Sequence, residues 1–131
     1  MARPPAKELT NRELEVMQVF WKRGAITAQE ARDELARSGL DRAYTTVATL
    51  VRILIEKGFL KQTTNERPFL YLPVRSYEDV SRRLLRDLID RVFHGSRELL
   101  LARLLEQKKL TPKERARLKD LLELGLEEDQ G

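Results

Sequence analysis

Apolar residues recur every three or four positions through the first 57 residues, which is the spacing of helices with one buried face. Three segments show this pattern. The first ends at Gly24, the second runs from Thr27 to Ser38, and the third runs from about Ala43 to Lys57. A Thr-x-x-Glu sequence opens each of the first two, and this spacing is typical of the capping box at a helix N-terminus. The pattern therefore predicts three short helices.

After residue 58 the pattern changes to short apolar runs that are typical of strands. Residues 59–63 and 69–72 are predicted to form two strands, with 64–68 as the tip of the hairpin between them. Ala25-Ile26 is long enough only for a minimal strand. The order of helix, short strand, helix, helix and hairpin is that of a winged helix-turn-helix. We predict such a domain over residues 1–75, with residues 1–8 as an arm.

The second half of the chain is predicted to be helical, with two apolar stripes on its first helix. One stripe repeats every four residues from Val80, and Leu85, Ile89 and Phe93 form a second stripe beside it. A cap at Ser96 and the sequence Thr111-Pro112 mark two further helix starts. The fold class predicted for the chain is thus mainly α with a small β-hairpin.

These stripes give an apolar face that is wider than a small neighbouring domain needs. The leucines could instead form the core of a separate lobe, but three short helices make a thin core. We therefore predict a helical dimerisation domain over residues 76–131 and a homodimer. The side chains expected in its interface are Val80, Leu84, Leu88, Ile89, Val92, Leu100 and Leu104.

The positive charge of the chain is confined to its first half. The net charge is +4. Residues 1–75 carry 13 Lys and Arg against 9 Asp and Glu, and residues 76–131 carry 12 of each kind. An anionic partner, double-stranded DNA in particular, is therefore expected to bind the first half.

The third predicted helix is the second of the helix-turn-helix pair, the one that enters the major groove. Threonine hydroxyls bond bases or phosphates, and threonine methyls contact thymine methyls. Threonines could also serve only as helix caps, but several of them on one exposed face are poor helix formers. The predicted DNA contacts are Tyr44, Thr45, Thr46, Thr49 and Arg52 on this helix, with Lys61 and Arg67 on the hairpin.

Other function classes find little support in the composition. The chain has no Cys and one His, which excludes thiolate sites and leaves too few imidazoles for a zinc or catalytic constellation. No nucleophile–base spacing or phosphate-binding glycine loop is present, and no apolar run approaches the roughly 20 residues of a membrane span. We expect a cytoplasmic protein that is not an enzyme and has no cofactor, no metal and no membrane segment.

Two alternatives remain open on the residues alone. A winged helix can serve as a protein–protein interaction module, in which case the threonine face would be incidental. The chain could also be a transcription activator of another winged-helix family.

Several segments resemble the penicillinase repressor family, which includes the methicillin-resistance and copper-transport-operon repressors. The resemblance covers residues 9–124. It is carried by Leu14-Glu15-Val16-Met17, Phe20-Trp21, Ala43-Tyr44-Thr45-Thr46-Val47-x-Thr49-Leu50, Glu56-Lys57-Gly58, Arg67-Pro68-Phe69-Leu70-Tyr71 and Val92-Phe93-x-Gly95-Ser96. It implies a homodimer that represses genes from a palindromic operator. By the same resemblance, Thr46 and Thr49 would contact bases, whereas Tyr44, Thr45 and Arg67 would contact the DNA backbone.

The chain departs from the family pattern in three places. Ile53 stands where many relatives carry an Arg, so one charged contact is missing. The absence of Cys excludes the induction mode of the copper-responsive members. For the beta-lactam-responsive members, the resemblance implies a partner protease that cuts the first tail helix between an Asn and a Phe. The corresponding pair here is Asp87-Leu88, so cleavage by such a protease, and with it the inducing signal, stays open.

Overall fold

The computed structural model describes residues 8–130, with side chains described over residues 8–125. The arm predicted over residues 1–8 lies outside this range except for Glu8. Over the described residues the fold is mainly helical with one antiparallel hairpin, as predicted. Its elements are α1 (Asn11–Arg23), α2 (Ala28–Arg37), α3 (Tyr44–Glu56), β1 (Leu60–Gln62), β2 (Tyr71–Pro73), α4 (Tyr77–Val92), α5 (Arg97–Leu105) and α6 (Pro112–Gln130).

Both predicted capping boxes are present. The Thr10 hydroxyl accepts from the backbone N–H of Glu13 at 3.2 Å, and the Glu13 carboxylate accepts from the N–H of Thr10 at 3.0 Å. Thr27 and Glu30 repeat the arrangement at the start of α2, with both distances at 3.0 Å. These reciprocal bonds satisfy N–H groups that have no partner within the helix, and so they fix where each helix begins.

The core of the first unit lies among α1, α2, α3 and the hairpin. Val19, which lies outside the apolar spacing of Leu14, Met17 and Trp21 along α1, is nevertheless buried. Its burial follows from the contacts of α1 with α2, α3 and β2, since a helix with neighbours on several sides buries more than one stripe. The buried core residues are Val16, Met17, Val19, Phe20, Ile26, Ala28, Ala31, Leu35, Val47, Val51, Leu54, Phe59, Leu60 and Val80.

The two strands of the wing are shorter than predicted. Leu60 pairs with Pro73, and the register continues to Gln62 opposite Tyr71. Beyond the ladder two further bonds close the hairpin. The Thr63 N–H donates to the Leu70 carbonyl at 2.8 Å, and the Leu70 N–H donates to the Thr64 hydroxyl at 3.1 Å. The minimal strand is confirmed, since Ile26 and Tyr71 exchange backbone hydrogen bonds of 3.3 and 2.9 Å.

Contacts within the chain divide it into two units, one ending at Ser81 and the other beginning at Arg82. This division falls inside α4, later than the predicted boundary after residue 75. The reason is that the start of α4 packs on the first unit. Val80 joins its core, and the centre of the Tyr77 ring lies 5.4 Å from that of the Trp21 ring.

The second unit contains the rest of α4 together with α5 and α6. His94 and Gly95 have φ angles of 52° and 81°, which end α4. The Ser96 hydroxyl then accepts from the N–H of Leu99 at 3.0 Å and caps α5, as predicted. Among residues 8–130, no helix combines the length and the apolarity needed to cross a membrane.

Candidate nucleic-acid interface

The exposed face of α3 presents hydroxyl groups and one cation. Thr45, Thr49 and Arg52 are exposed and stand four and three residues apart, which places them along one face of the helix. The opposite face is buried through Val47 and Leu54, both 0% exposed. Burial of one face thus fixes which face of α3 is available to a partner.

The two other predicted contacts on α3 flank this face. Tyr44 is the first residue of the helix, and 48% of its surface is exposed. Thr46 is half-buried, whereas Thr45 and Thr49 are exposed. The structure therefore brings Thr45 and Thr49 together at the centre of the exposed face and places Thr46 at its edge.

The C-terminal end of α3 is fixed to the start of α1 by a partly buried ion pair. Lys57 Nζ lies 2.7 Å from Glu13 Oε1, and it also donates to the Glu8 carbonyl at 3.0 Å. Burial raises the pKa of Glu13, but hydrogen bonds from Lys57 and Thr10 outweigh it and leave the pKa below its ordinary value. Glu13 is therefore an ionised carboxylate. It caps α1 and, through its ion pair with Lys57, holds the end of α3 in place.

The turn between α2 and α3 is held by two arginines. Arg42 Nη2 lies 3.1 and 3.2 Å from the two carboxylate oxygens of Glu15 on α1. Arg32 Nε donates to the Arg42 carbonyl at 3.4 Å. These two guanidinium groups are half-buried, bond within the chain and position the start of α3. Arg52 is exposed.

A groove lies between the start of α2, the start of α3 and the wing. Its volume is about 490 Å³. The Arg67 guanidinium, from the wing, lies 5.6 Å from the centre of the Phe69 ring, within the range of a cation–π contact. The side chains that line the groove are Thr27, Ala28, Gln29, Tyr44, Arg67, Pro68, Phe69 and Tyr71.

The groove joins two predicted contacts, Tyr44 and Arg67, and adds two residues that sequence reasoning missed, Gln29 and Tyr71. Burial raises the pKa of the Tyr71 hydroxyl, the neighbouring Tyr44 raises it further, and Arg67 opposes them. Tyr71 thus stays protonated at neutral pH. The only sequence signal for Gln29 is general, since the first helix of a helix-turn-helix pair crosses the DNA backbone.

Lys61 is on the wing but is not part of the groove. It lies in β1 opposite Leu72, and its side chain is exposed. The structure therefore does not bring Lys61 and Arg67 together at one site.

The predicted interface residues of the tail fall into two groups. Val80 and Ile89 are each 6% exposed within the single chain, so little of either side chain is left for a partner. Leu100 is half-buried. The exposed members are Leu84 at 38%, Leu88 at 42%, Val92 at 57% and Leu104 at 38%.

Further leucines of the second unit are exposed. The Asp87-Leu88 pair, which corresponds to the cleavage site of the family, lies on α4. Asp87 is half-buried and Leu88 exposed, both in the continuous helix α4. The additional exposed leucines are Leu85, Leu105, Leu121, Leu122 and Leu124.

Comparison with known proteins places the chain in a family. The family model described as penicillinase repressor matches residues 9–124. The penicillinase repressor of Bacillus licheniformis is 28% identical over 116 residues, covering 88% of this chain and 90% of that protein. The methicillin resistance regulatory protein MecI of Staphylococcus aureus (strain N315) is 24% identical over 115 residues, covering 88% and 93%.

Similarity also extends to a solved structure, the solution structure of the DNA-binding domain of the repressor BlaI. It is 33% identical, with a TM-score of 0.49, and the match covers 60% of this chain and 93% of that chain. Since the family model covers nearly the whole sequence, this chain belongs to the penicillinase repressor family.

Proposed function

We propose that this chain is a sequence-specific DNA-binding transcriptional repressor that acts as a homodimer on a palindromic operator. The names of its relatives, a penicillinase repressor and a methicillin resistance regulatory protein, support repression. The proposal further assigns base contacts to α3 and backbone contacts to the wing, and it assigns dimerisation to the tail.

The observation that carries the proposal is the exposed face of α3. Thr45 and Thr49 place hydroxyl and methyl groups on one face of a helix whose other face is buried. Both groups can contact base edges in the major groove. Tyr44 and Arg67, at the start of the same helix and on the wing, supply a hydroxyl and a cation for phosphates. A module that binds only proteins has no need of this combination.

The exposed leucines of the tail support a second copy of this chain as its partner. Leu84, Leu88 and Val92 stand four residues apart on α4, and each is more than a third exposed. A two-fold dimer places the same patch of both copies in one interface, so a single apolar face is sufficient to form it. Two copies also present two wings, and a single DNA-binding module buries too little surface for tight specific binding at physiological salt.

Salt dependence and oligomeric state test the two halves of this proposal. Binding to a duplex of random sequence should weaken steeply between about 50 and about 200 mM salt, with a log–log slope of about −4. This slope counts Lys61 and Arg67 in both protomers. Binding that does not change with salt would contradict a DNA-binding role and would favour the protein–protein module.

A matched pair of variants tests the dimer. Leu88→Lys places a charge in the proposed interface, and Asp90→Lys places one at an exposed position on the opposite face of the same helix. In sedimentation at micromolar concentration, Leu88→Lys should be monomeric and Asp90→Lys dimeric. Because lysine does not repel DNA, weaker DNA binding by Leu88→Lys alone reports the loss of the dimer. A monomeric unmodified chain would refute the dimer.

A further inference from the structure

Residues 74–76 connect the wing to α4, and the first two of them are held tightly to the first unit. The Val74 N–H donates to the Phe59 carbonyl at 2.8 Å. The Arg75 carbonyl accepts from the Trp21 indole N–H at 2.9 Å. The Arg75 guanidinium also lies 5.2 Å from the centre of the Phe59 ring, within the range of a cation–π contact. Backbone and side chain thus both fix this connection.

The first turn of α4 is held by its cap and by two of its own side chains. The Ser76 hydroxyl accepts from the N–H of Asp79 at 3.0 Å, which fixes where the helix begins. The Tyr77 ring meets the Trp21 ring edge-on, with the ring centres 5.4 Å apart. Val80 is buried in the core of the first unit. The direction of the first turn of α4 is therefore fixed on the first unit.

The same connection is tied to the end of α3. Phe59 follows this helix, and its N–H donates to the Leu54 carbonyl at 2.9 Å, so the last turn of α3 sets its position. The Phe59 side chain is buried, and its ring contacts the Arg75 guanidinium. Because the Phe59 carbonyl also holds Val74, one residue links the end of α3 to the segment that leads into α4.

The length of α4 converts a small change at its start into a large one at its end. The helix begins in the first unit and continues into the second, and its 16 residues include no Gly or Pro, at which helices often kink. At about 1.5 Å per residue it is about 24 Å long, so a tilt of about 10° at its start displaces its end by about 4 Å. One base pair adds about 3.4 Å to a duplex. A small tilt of α4 is therefore comparable to one base pair.

We propose that the connection of residues 74–76 sets the spacing between half-sites that the homodimer accepts. Trp21 and Arg75 are positioning residues. They fix the start of α4, the helix that carries exposed leucines of the proposed dimer interface, on the unit that carries α3. This inference rests on the proposed function and adds to it a determinant of operator spacing outside the surface that contacts DNA. A loosely held α4 would let one dimer bind half-sites at several spacings.

Duplexes that differ only in the length of their spacer test the proposal. The symmetric site selected by the full chain is rebuilt with one or two base pairs added or removed between its half-sites. Each added base pair lengthens the spacer by about 3.4 Å and turns the next half-site by about 35°. The unmodified chain should bind the altered duplexes on the order of a hundredfold more weakly, because the two half-sites are no longer engaged together.

Two variants loosen the connection and leave the proposed DNA contacts in place. Trp21→Phe removes the N–H that binds the Arg75 carbonyl, and Arg75→Gln removes the cation next to the Phe59 ring. Each should reduce the spacing penalty by about fivefold, the value of one such contact, and leave binding to a single half-site unchanged. Arg75→Lys retains a cation and should keep the penalty. Arg12→Gln, at an exposed position of α1, is the control for loss of charge and should also keep it.

Binding to a single half-site separates positioning from a purely structural role. A variant that only destabilises the first unit would weaken binding to the half-site and to every spacer alike. That result for Trp21→Phe and Arg75→Gln would overturn the proposal, as would equal binding of all spacers by the unmodified chain. If the unmodified chain selects no symmetric site at all, the proposed function is refuted, and this inference with it.

Discussion

Glu13 and Glu30 occupy the same position in two capping boxes but differ in burial, which makes them a matched test of the ion pair behind α3. The side chain of Glu13 is 5% exposed and lies 2.7 Å from Lys57. That of Glu30 is 47% exposed, and its ion pair with Arg23 is 3.9 Å long. Replacement by Gln removes the charge but keeps an oxygen that can accept from the capping N–H.

The expected loss of stability follows from the surroundings of Lys57. Removing one partner of a fully buried pair costs about 3–5 kcal/mol, and an exposed pair contributes about 0–1 kcal/mol. The Lys57 side chain retains 16% exposure and a second acceptor in the Glu8 carbonyl. We therefore expect Glu13→Gln to lower the free energy of unfolding by about 2 kcal/mol, and Glu30→Gln by less than about 0.5 kcal/mol.

The effect of Glu13→Gln should also depend on pH. The pKa of Glu13 is lowered in the folded chain, so the unfolded chain binds a proton at this carboxylate more readily. The resulting stabilisation is complete above the ordinary glutamate pKa of about 4.3 and is lost as the pH falls through the lowered folded-state value. The difference between the unmodified chain and Glu13→Gln should therefore be full at neutral pH and shrink in acid.

Urea unfolding followed by the fluorescence of Trp21, the single tryptophan, measures these losses. Protein concentration is held constant, because dimerisation would stabilise every sample by mass action. Equal losses for Glu13→Gln and Glu30→Gln would refute the reasoning from burial. A difference that stays constant down to the most acidic pH would refute the assignment to Glu13.

Two further predictions concern α3 and the domain boundary. Thr49→Ala should weaken binding to a selected site by about 1–3 kcal/mol and have little effect on random DNA, as competition binding would measure, and equal losses would make Thr49 a backbone contact. A fragment ending at residue 75 should unfold in urea more easily than one ending at residue 81, by about 2–4 kcal/mol. The shorter fragment lacks buried Val80 and the ring of Tyr77, 5.4 Å from that of Trp21. Equal stability of the two fragments would mean that the start of α4 does not support the first unit.

Local signals made the helix boundaries predictable. The bonds of Thr10 and Glu13 join residues three apart, so the sequence alone specifies where α1 begins. The same holds for the Ser96 cap of α5. The strands of the wing were predicted too long because the Leu70 N–H bonds to the Thr64 hydroxyl instead of a backbone carbonyl, although the Leu70 carbonyl still accepts from the Thr63 N–H. The hydrophobic pattern of the sequence does not show that a threonine hydroxyl will bind the Leu70 N–H in place of a backbone carbonyl.

The parts of the candidate site that escaped prediction depend on distant segments. The spacing of Val80, Leu84 and Leu88 predicts an apolar face but does not predict which part of the chain covers it. In the structure Val80 is buried in the core of the first unit, whereas Leu84 and Leu88 are exposed. Gln29 and Tyr71 line one groove only because α2, α3 and the wing converge. Thr45 and Thr46 are adjacent in sequence, and only the direction of packing makes one exposed and the other half-buried.

Selection of bound sites from random-sequence DNA with the full chain tests the central claim most directly, because it reports binding, base preference and symmetry together. A homodimer with one α3 in each major groove should enrich a two-fold symmetric sequence whose half-sites lie about one helical turn, or a multiple of it, apart. Enrichment of no sequence at all would contradict sequence-specific binding. Enrichment of a single half-site without its symmetric partner would contradict the homodimer.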